Sequence, residues 1–289
     1  MATRLYAILA LSATSLAVLA LIPKLYWVIG YPAVAAVAGS ALAYGAISSL
    51  VAARRLYFLA HVAPHMALLA APISALLLGF RWDWVLAIAI VAVLMLLSGY
   101  SLHRGADADV VASIMVSLTA SLTVIALYYA QRSVGAGRVS QLILGDPLLV
   151  GSPEGYAALA LGLAIATISL AVAREIFYIG VSREVALVSG LNVWAYDALL
   201  YILIAVTIAS MLKITGFLVA TVLTLLPGAI AVMVARGSLE SVVASIALAL
   251  TASALGLASS IALGLPPSGV TGLILVLAYI AARGVARVG

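Results

Sequence analysis

Apolar runs long enough to cross a lipid bilayer recur along the whole sequence. An α-helix rises 1.5 Å per residue, so about 20 apolar residues span a hydrocarbon core of roughly 30 Å. Because 66% of the residues are hydrophobic and only 8% are charged, no stretch remains for a soluble domain. We therefore predict an all-α, polytopic transmembrane bundle of about ten helices, forming a single domain over residues 1–289. The predicted helices cover residues 5–22, 32–53, 57–79, 83–100, 110–130, 156–174, 193–212, 216–235, 239–263 and 269–282.

The first apolar run could also be read as a signal peptide, because residues 5–22 follow Arg4. No convincing small-residue cleavage site precedes Lys24, however. We therefore expect residues 1–24 to contain an extra N-terminal helix that stays in the protein.

Basic residues between the apolar runs predict the orientation in the membrane. Ten helices place both termini on one side, and a cytoplasmic location of that side puts nine arginines inside and five basic residues outside. We expect a multi-pass protein of the cytoplasmic membrane with both termini cytoplasmic, surrounded by lipid. The basic residues are too scattered for a nucleic-acid surface, and the absence of cysteine excludes disulfides and thiolate metal sites.

Two of the predicted loops are long. The outer loop, residues 131–155, has an apolar middle, QLILGDPLLVG, that indicates a short re-entrant or interfacial helix. The inner loop, residues 175–192, predicts a short amphipathic helix suited to docking onto a soluble partner. Its apolar face consists of Val185, Val188 and Leu191, and its polar start of Ser182, Arg183 and Glu184.

Two of the three histidines stand four residues apart in YFLAHVAPHMALLA, residues 57–70. His61 and His65 therefore project from one helix face, close enough to bind one ion. Neutral imidazole is a good ligand for Zn²⁺ and related metals. Pro64 leaves the carbonyl of Ala60 without its helical partner, so the backbone can also line a path. Spacing alone leaves a second interpretation open, in which both histidines pack inside the bundle.

Five segments, in order, resemble the permease subunit of the zinc, manganese and iron class of ABC importers. The region of resemblance covers residues 50–285 and omits the first predicted helix. The resemblance implies a permease fold of the cobalamin-transporter type. It also implies a homodimer that carries two cytoplasmic ATPase subunits and receives metal from an extracytoplasmic metal-binding lipoprotein. The segments are RRLYFLAHVAPHMALLA (54–70), SQLILGDP (140–147), VSREVALVSGL (181–191), TGFLVATVLTLLPGAIA (215–231) and LPPSG (265–269).

The resemblance also implies roles for single residues. The family has an aspartate and a histidine for the transported metal where this sequence has His61 and His65, so one negative charge is missing. Another helix must then contribute ligands, and Asp197 in WAYDALL is the strongest candidate among carboxylates that include Asp107, Asp109 and Glu175. A simpler interpretation keeps each carboxylate as a helix-end charge in water.

Further features of the sequence concern coupling and gating. The residues Glu184, Ala186 and Gly190 resemble the Glu-Ala-Ala then Gly pattern of permease loops that engage the ATPase, and Ser182 and Arg183 begin the same segment. The helix-breaking prolines Pro64, Pro227 and Pro267 are candidates for gate positions.

These features together predict the membrane-spanning permease of an ATP-driven importer of divalent metal ions, with zinc or manganese as cargo and no tightly bound cofactor. The sequence has no Walker-type glycine-rich loop, so we expect ATP hydrolysis in a separate subunit. One alternative is the permease of a cobalamin or iron-siderophore importer. The other is a membrane-embedded metalloenzyme, which would need a glutamate base where Val62 stands.

Overall fold

The computed structural model describes residues 30–78, 83–134, 137, 142–145, 147 and 150–288, and no strand occurs among them. Eight helices, all except the short helix Arg183–Val188, are long and apolar enough to cross a membrane. The predicted all-α transmembrane bundle is therefore confirmed, whereas the helix predicted over residues 5–22 lies outside the described residues. The helices are α1 (Tyr31–Arg54), α2 (Tyr57–Leu78), α3 (Asp83–His103), α4 (Ala108–Val134), α5 (Ser152–Val181), α6 (Arg183–Val188), α7 (Val193–Val234), α8 (Ser238–Leu263) and α9 (Pro267–Val288).

The 42-residue helix α7 replaces two predicted helices, and it is interrupted where those two were expected to meet. Gly216 has φ 74° and ψ 162°, a backbone conformation that favours glycine and is not helical. The hydrogen bonds between α7 and α1 show that the chain reverses direction there. Along the first half of α7 the bonded α1 residues lie progressively further from the C-terminal end of α1, and along the second half they lie closer to that end again. In the order of α7, the pairs are Asp197 with Arg54, Thr215 with Tyr44 and Gly228 with Ser48.

Helix α1 lies at the centre of the bundle and packs against α5, α7 and α8. A Cβ at Gly155 would overlap the backbone of α1 at Pro32, and a Cβ at Gly162 would overlap it at Gly39. Later residues of α5 contact later residues of α1, so the two helices run in the same direction. Small residues allow such close approach, which matters in a membrane because helices associate there largely through close packing and dispersion.

Two further contacts complete the bundle. Helix α8 runs antiparallel to α1, joined by a 2.9 Å hydrogen bond between the Ser241 and Ser49 hydroxyls and a 2.6 Å bond from Ser245 Oγ to the Gly45 carbonyl. Helices α3 and α4 pack against α2, and α2 and α3 also contact α7. The outward faces of α3 and α4 are apolar and exposed, as expected for a surface in contact with lipid.

The close contact of α1 and α5 generates the first prediction. Replacing Gly162 with alanine should force the two helices apart and destabilise the protein by about 1–3 kcal/mol from overpacking, more than the roughly 1 kcal/mol of helix propensity that alanine gains. Thermal unfolding of the purified protein in detergent measures the loss. Gly269→Ala is the matched control, because nothing lies within 4 Å of a Cβ there. Equal unfolding temperatures for the two variants would contradict the packing argument.

Candidate functional site

His61 and His65 lie one turn apart on α2, and their side chains face each other. The ring centroids are 5.7 Å apart and the ring planes meet at 65°. His61 is exposed on the surface of the single chain, whereas His65 is half-buried. The His65 ring also packs edge-on against Phe217, with centroids 4.8 Å apart. Phe217 directly follows the break at Gly216, so the histidine pair lies beside the interruption of α7.

Asp197 does not join the histidines. Arg54 holds its carboxylate in a bidentate salt bridge, with nitrogen to oxygen distances of 2.7, 2.9 and 2.9 Å. The two side chains are only 12% and 8% exposed. Among the described residues, no group of three or more His, Cys, Asp or Glu side chains is placed to hold a metal ion. This placement argues against Asp197 as the third ligand, because its charge is already neutralised by a fixed cation.

The other carboxylates that the sequence offered as metal ligands each have their own surroundings. Asp107 caps the start of α4, where its Oδ1 accepts hydrogen bonds from the backbone N–H groups of Asp109 and Val110 at 2.9 and 3.2 Å. This agrees with the simpler interpretation of a helix-end charge. Glu175, on α5, keeps one carboxylate oxygen buried without a hydrogen-bond partner.

The salt bridge also fixes the elements on either side of α6. Arg54 Nη1 donates a 3.3 Å hydrogen bond to the carbonyl of Ile179, near the end of α5, while Asp197 stands near the start of α7. A single guanidinium thus joins α1, α5 and α7 at the end of the bundle that carries α6. The sequence analysis did not identify this pair, although Arg54 and Asp197 both stand at helix ends and carry opposite charges.

The short inner helix forms as predicted, with one change in its apolar face. Ser182 Oγ accepts the Val185 N–H at 3.3 Å and caps the helix. Gly190 has φ 81°, consistent with the left-handed conformation expected after the helix. Val185 and Val188 are 51% and 90% exposed, but α6 ends at Val188, so Leu191 lies beyond it and packs inward. Leu187, which is 55% exposed, joins Val185 and Val188 in the exposed apolar surface of α6.

The inner face of α6 anchors it to the membrane helices. Ala186 is fully buried in a small cluster with Ile179 of α5 and Val193 of α7. Arg183 donates a 2.8 Å hydrogen bond to Nδ1 of His103 at the end of α3. Glu184 is exposed at the start of the helix. Apart from Ala186, the residues of α6 are exposed.

The three prolines predicted to break helices have different surroundings. Pro64 and Pro227 are buried inside α2 and α7. Gly228, directly after Pro227, donates its N–H to Ser48 Oγ of α1 at 2.8 Å. Pro267 begins α9 and borders a cavity near the α7 break. No contact of these residues assigns any of them to a gate, so that role remains a prediction.

The sequence matches the model of a protein family described as the ABC 3 transport family over residues 29–286. The chain belongs to the ABC 3 transport family. A protein of Treponema pallidum (strain Nichols), described as a probable metal transport system membrane protein, is 28% identical over 182 residues, which cover 63% of this chain and 67% of that protein. The resemblance inferred from the five sequence segments, to the permease of an ABC metal importer, is thereby confirmed.

Two solved structures show the fold of this ABC 3 family member. PsaBC from Streptococcus pneumoniae in complex with Fab superposes with a TM-score of 0.77 at 17% identity, over 92% of this chain and 94% of that chain. A protein described as a metal-chelate type ABC transporter in an inward-facing conformation gives a TM-score of 0.71 at 14% identity, over 97% and 98%. The ABC permease fold is therefore shown over nearly the whole chain.

The salt bridge generates the second prediction. Asp197→Ala should leave the Arg54 guanidinium buried without its partner and destabilise the metal-free protein by about 3–5 kcal/mol. Thermal unfolding in detergent without added metal is the measurement. Replacing both residues, Arg54→Met with Asp197→Leu, should recover most of the loss because no charge is then stranded.

Asp107→Ala is the control for this measurement, since it removes an exposed cap at a cost of about 0.5–2 kcal/mol. If Asp197→Ala were no more harmful than Asp107→Ala in the absence of metal, the structural assignment of Asp197 would fail.

Proposed function

We propose that the chain is the permease subunit of an importer that moves divalent metal ions, zinc or manganese, across the cytoplasmic membrane. The observation that carries the proposal is the pair of imidazoles, one turn apart, on an accessible face of the spanning helix α2 in a member of an ABC transport family. Ionisable side chains within a membrane span are costly and usually functional. The metal transport assigned to the Treponema pallidum relative points in the same direction.

The exposure of His61 supports a homodimer. An imidazole that faced lipid would lose its hydrogen bonds, whereas a second copy packed over the α2 face would enclose it. Two copies related by a two-fold axis would bring four imidazoles to one interface. That number would supply a full ligand set where one chain supplies two. We place the path of the ion between the two copies, along this face of α2.

The backbone around the histidines can also contribute. Pro64 has no N–H, so the carbonyl of Ala60, one turn earlier on α2, has no helical donor. A carbonyl oxygen beside two imidazoles would offer a passing cation a mixed set of nitrogen and oxygen ligands. Such a site would be open and weak, as transport requires, because an ion that is bound too tightly is not released.

Partner subunits complete the proposed assembly. Family membership in an ABC class implies ATPase subunits, and we assign their docking surface to α6 with Ser182, Arg183, Glu184, Ala186 and Gly190 around it. Both chain termini and α6 would then lie in the cytoplasm, as the basic residues predict. An extracytoplasmic metal-binding protein would deliver the ion to the opposite face.

The third prediction tests the histidine pair. His65→Ala should abolish metal uptake by proteoliposomes that contain the permease with its ATPase, because only two of the four imidazoles at the interface would remain, too few to hold the ion. His61→Asp should retain uptake, since a carboxylate is also a ligand for these metals. Leu68→Ala, one turn further on the same helix, is the control for lost packing. Normal uptake by the His61→Ala, His65→Ala double variant would show that the pair serves packing only.

The fourth prediction tests α6. Replacing Val185 and Val188 with aspartate should weaken binding of the ATPase and uncouple ATP hydrolysis from uptake, because both exposed side chains would face an apolar surface on the partner. Co-purification and ATPase assays measure the two effects. Leu263→Asp, an equally apolar and exposed position at the opposite end of the bundle, should leave ATPase binding intact. Unchanged coupling in the double variant would remove α6 as the docking surface.

A further inference from the structure

The proposed metal path leaves the third histidine of the chain, His103, without a role. His103 is the last residue of α3, and its side chain is exposed. Its Nδ1 lies 2.8 Å from a guanidinium nitrogen of Arg183, the first residue of α6. Because arginine has donors and no acceptor, Nδ1 must accept this hydrogen bond and carries no proton. The contact therefore fixes both the direction of the imidazole ring and the position of its proton.

Helix α7 holds the His103 ring on another side. Trp194, the second residue of α7, packs against it with ring centroids 5.0 Å apart and planes at 47°. Tyr100, one turn earlier on α3, packs edge-on against the same indole with centroids 6.0 Å apart. Rings packed in this way restrict one another's rotamers. The acceptor for Arg183 thus belongs to an ordered aromatic cluster.

A close helix contact beneath this cluster fixes the end of α3. A Cβ at Gly99 would overlap the ring of Tyr201 on α7, and Tyr201 is only 3% exposed. The missing side chain at Gly99 lets the two helices approach closely, as small residues do between helices in a membrane. Since Gly99 stands one turn before His103, the end of α3 cannot shift against α7 without disturbing this ring. His103 is therefore a fixed point beside α6.

The other contacts of α6 join it to the helices that precede and follow it in the sequence. Ala186 packs against α5 and α7, and Ser189, just after α6, shares a 3.0 Å hydrogen bond with the hydroxyl of Tyr178 on α5. Among the described residues, the bond from Arg183 to His103 is the only hydrogen bond between α6 and a helix that is not its neighbour in the sequence. It holds the first residue of α6, so it limits rotation of the helix about the buried Ala186.

We propose that His103 is a positioning residue, which sets the orientation of α6 toward the ATPase subunit by accepting the Arg183 guanidinium. The inference rests on the proposed docking of the ATPase on α6 and adds a residue of α3 to it. Val185, Leu187 and Val188 form the exposed apolar surface of α6. A partner binds such a surface more tightly when it is held in one orientation before binding, because less freedom is then lost. A hydrogen bond from a charged donor is also stronger than one between neutral groups.

Two substitutions separate the acceptor from the ring. His103→Phe keeps an aromatic ring against Trp194 and removes the acceptor, whereas His103→Asn removes the ring and keeps an acceptor oxygen close to the position of Nδ1. If the acceptor positions α6, the asparagine variant should behave like the parent and the phenylalanine variant should not. Arg104→Gln is the matched control, since the Arg104 guanidinium is also exposed but lies over the Tyr100 ring, 5.9 Å from its centre.

Hydrogen–deuterium exchange tests the anchor in the full-length permease alone, in lipid nanodiscs. His103→Phe should speed the exchange of the backbone amides in residues 181–191 roughly three- to tenfold, because α6 loses one hydrogen bond that opposes its opening. His103→Asn and Arg104→Gln should keep exchange rates close to that of the parent. Neither ATPase nor metal enters this measurement, so it examines the position of α6 by itself.

ATPase binding tests the consequence for coupling. His103→Phe should raise the Kd for the ATPase subunit roughly three- to tenfold and lower the number of metal ions taken up per ATP hydrolysed in proteoliposomes. His103→Asn should restore both quantities. Since the side chain is exposed, all three variants should unfold at temperatures close to that of the parent.

The outcomes separate this inference from the function on which it rests. If His103→Phe matched the parent, or if His103→Asn were impaired as much as His103→Phe, the acceptor would have no positioning role. Faster exchange without weaker ATPase binding would also overturn the inference, because the anchor would then serve the fold only. In these cases the docking surface on α6 would still stand. Normal ATPase binding by the Val185→Asp, Val188→Asp variant would instead remove the docking surface, and the inference with it.

Discussion

A helix break inside a membrane bundle exposes backbone groups that lipid cannot satisfy, and the fold around Gly216 encloses them. Irregular backbone is tolerated at such depth only where protein or a polar cavity surrounds it. Here Thr215, next to the break, shares a 3.3 Å hydrogen bond with Tyr44 of α1, and the turn at Gly145 covers the other side. The break in α7 is therefore enclosed by α1 and by the segment before α5.

The same break gives the candidate site its geometry. It brings Phe217 against His65, two residues after Thr215, which lines the cavity. A continuous helix through residue 216 would have carried the second half of α7 away from α2. The break at Gly216 thus lies between the cavity and the histidine pair.

At the opposite end of the bundle, a buried salt bridge holds three helices together. Arg54 joins Asp197 and the carbonyl of Ile179, so the helices that precede and follow α6 are held at a fixed separation. The buried Ala186 then seats α6 on those two helices. Helices α5 and α7 are therefore both tied to α1 beside α6. The salt bridge and the break therefore lie on the same helix, α7.

The sequence by itself determined the number, order and type of most helices, because the bilayer requires long apolar runs whose backbone groups are satisfied internally. It also determined the i, i+4 histidine pair and the capped inner helix, since both depend on neighbours within one or two turns. Only the tertiary structure decided that Asp197 pairs with Arg54, that Leu191 turns inward and that His103 meets Arg183. Those contacts join residues far apart in the sequence, and an apolar helix carries no signal of which of its faces will meet which neighbour. Periodicity identifies a membrane helix, whereas the packing of small residues such as Gly39 against Gly162 selects its partner.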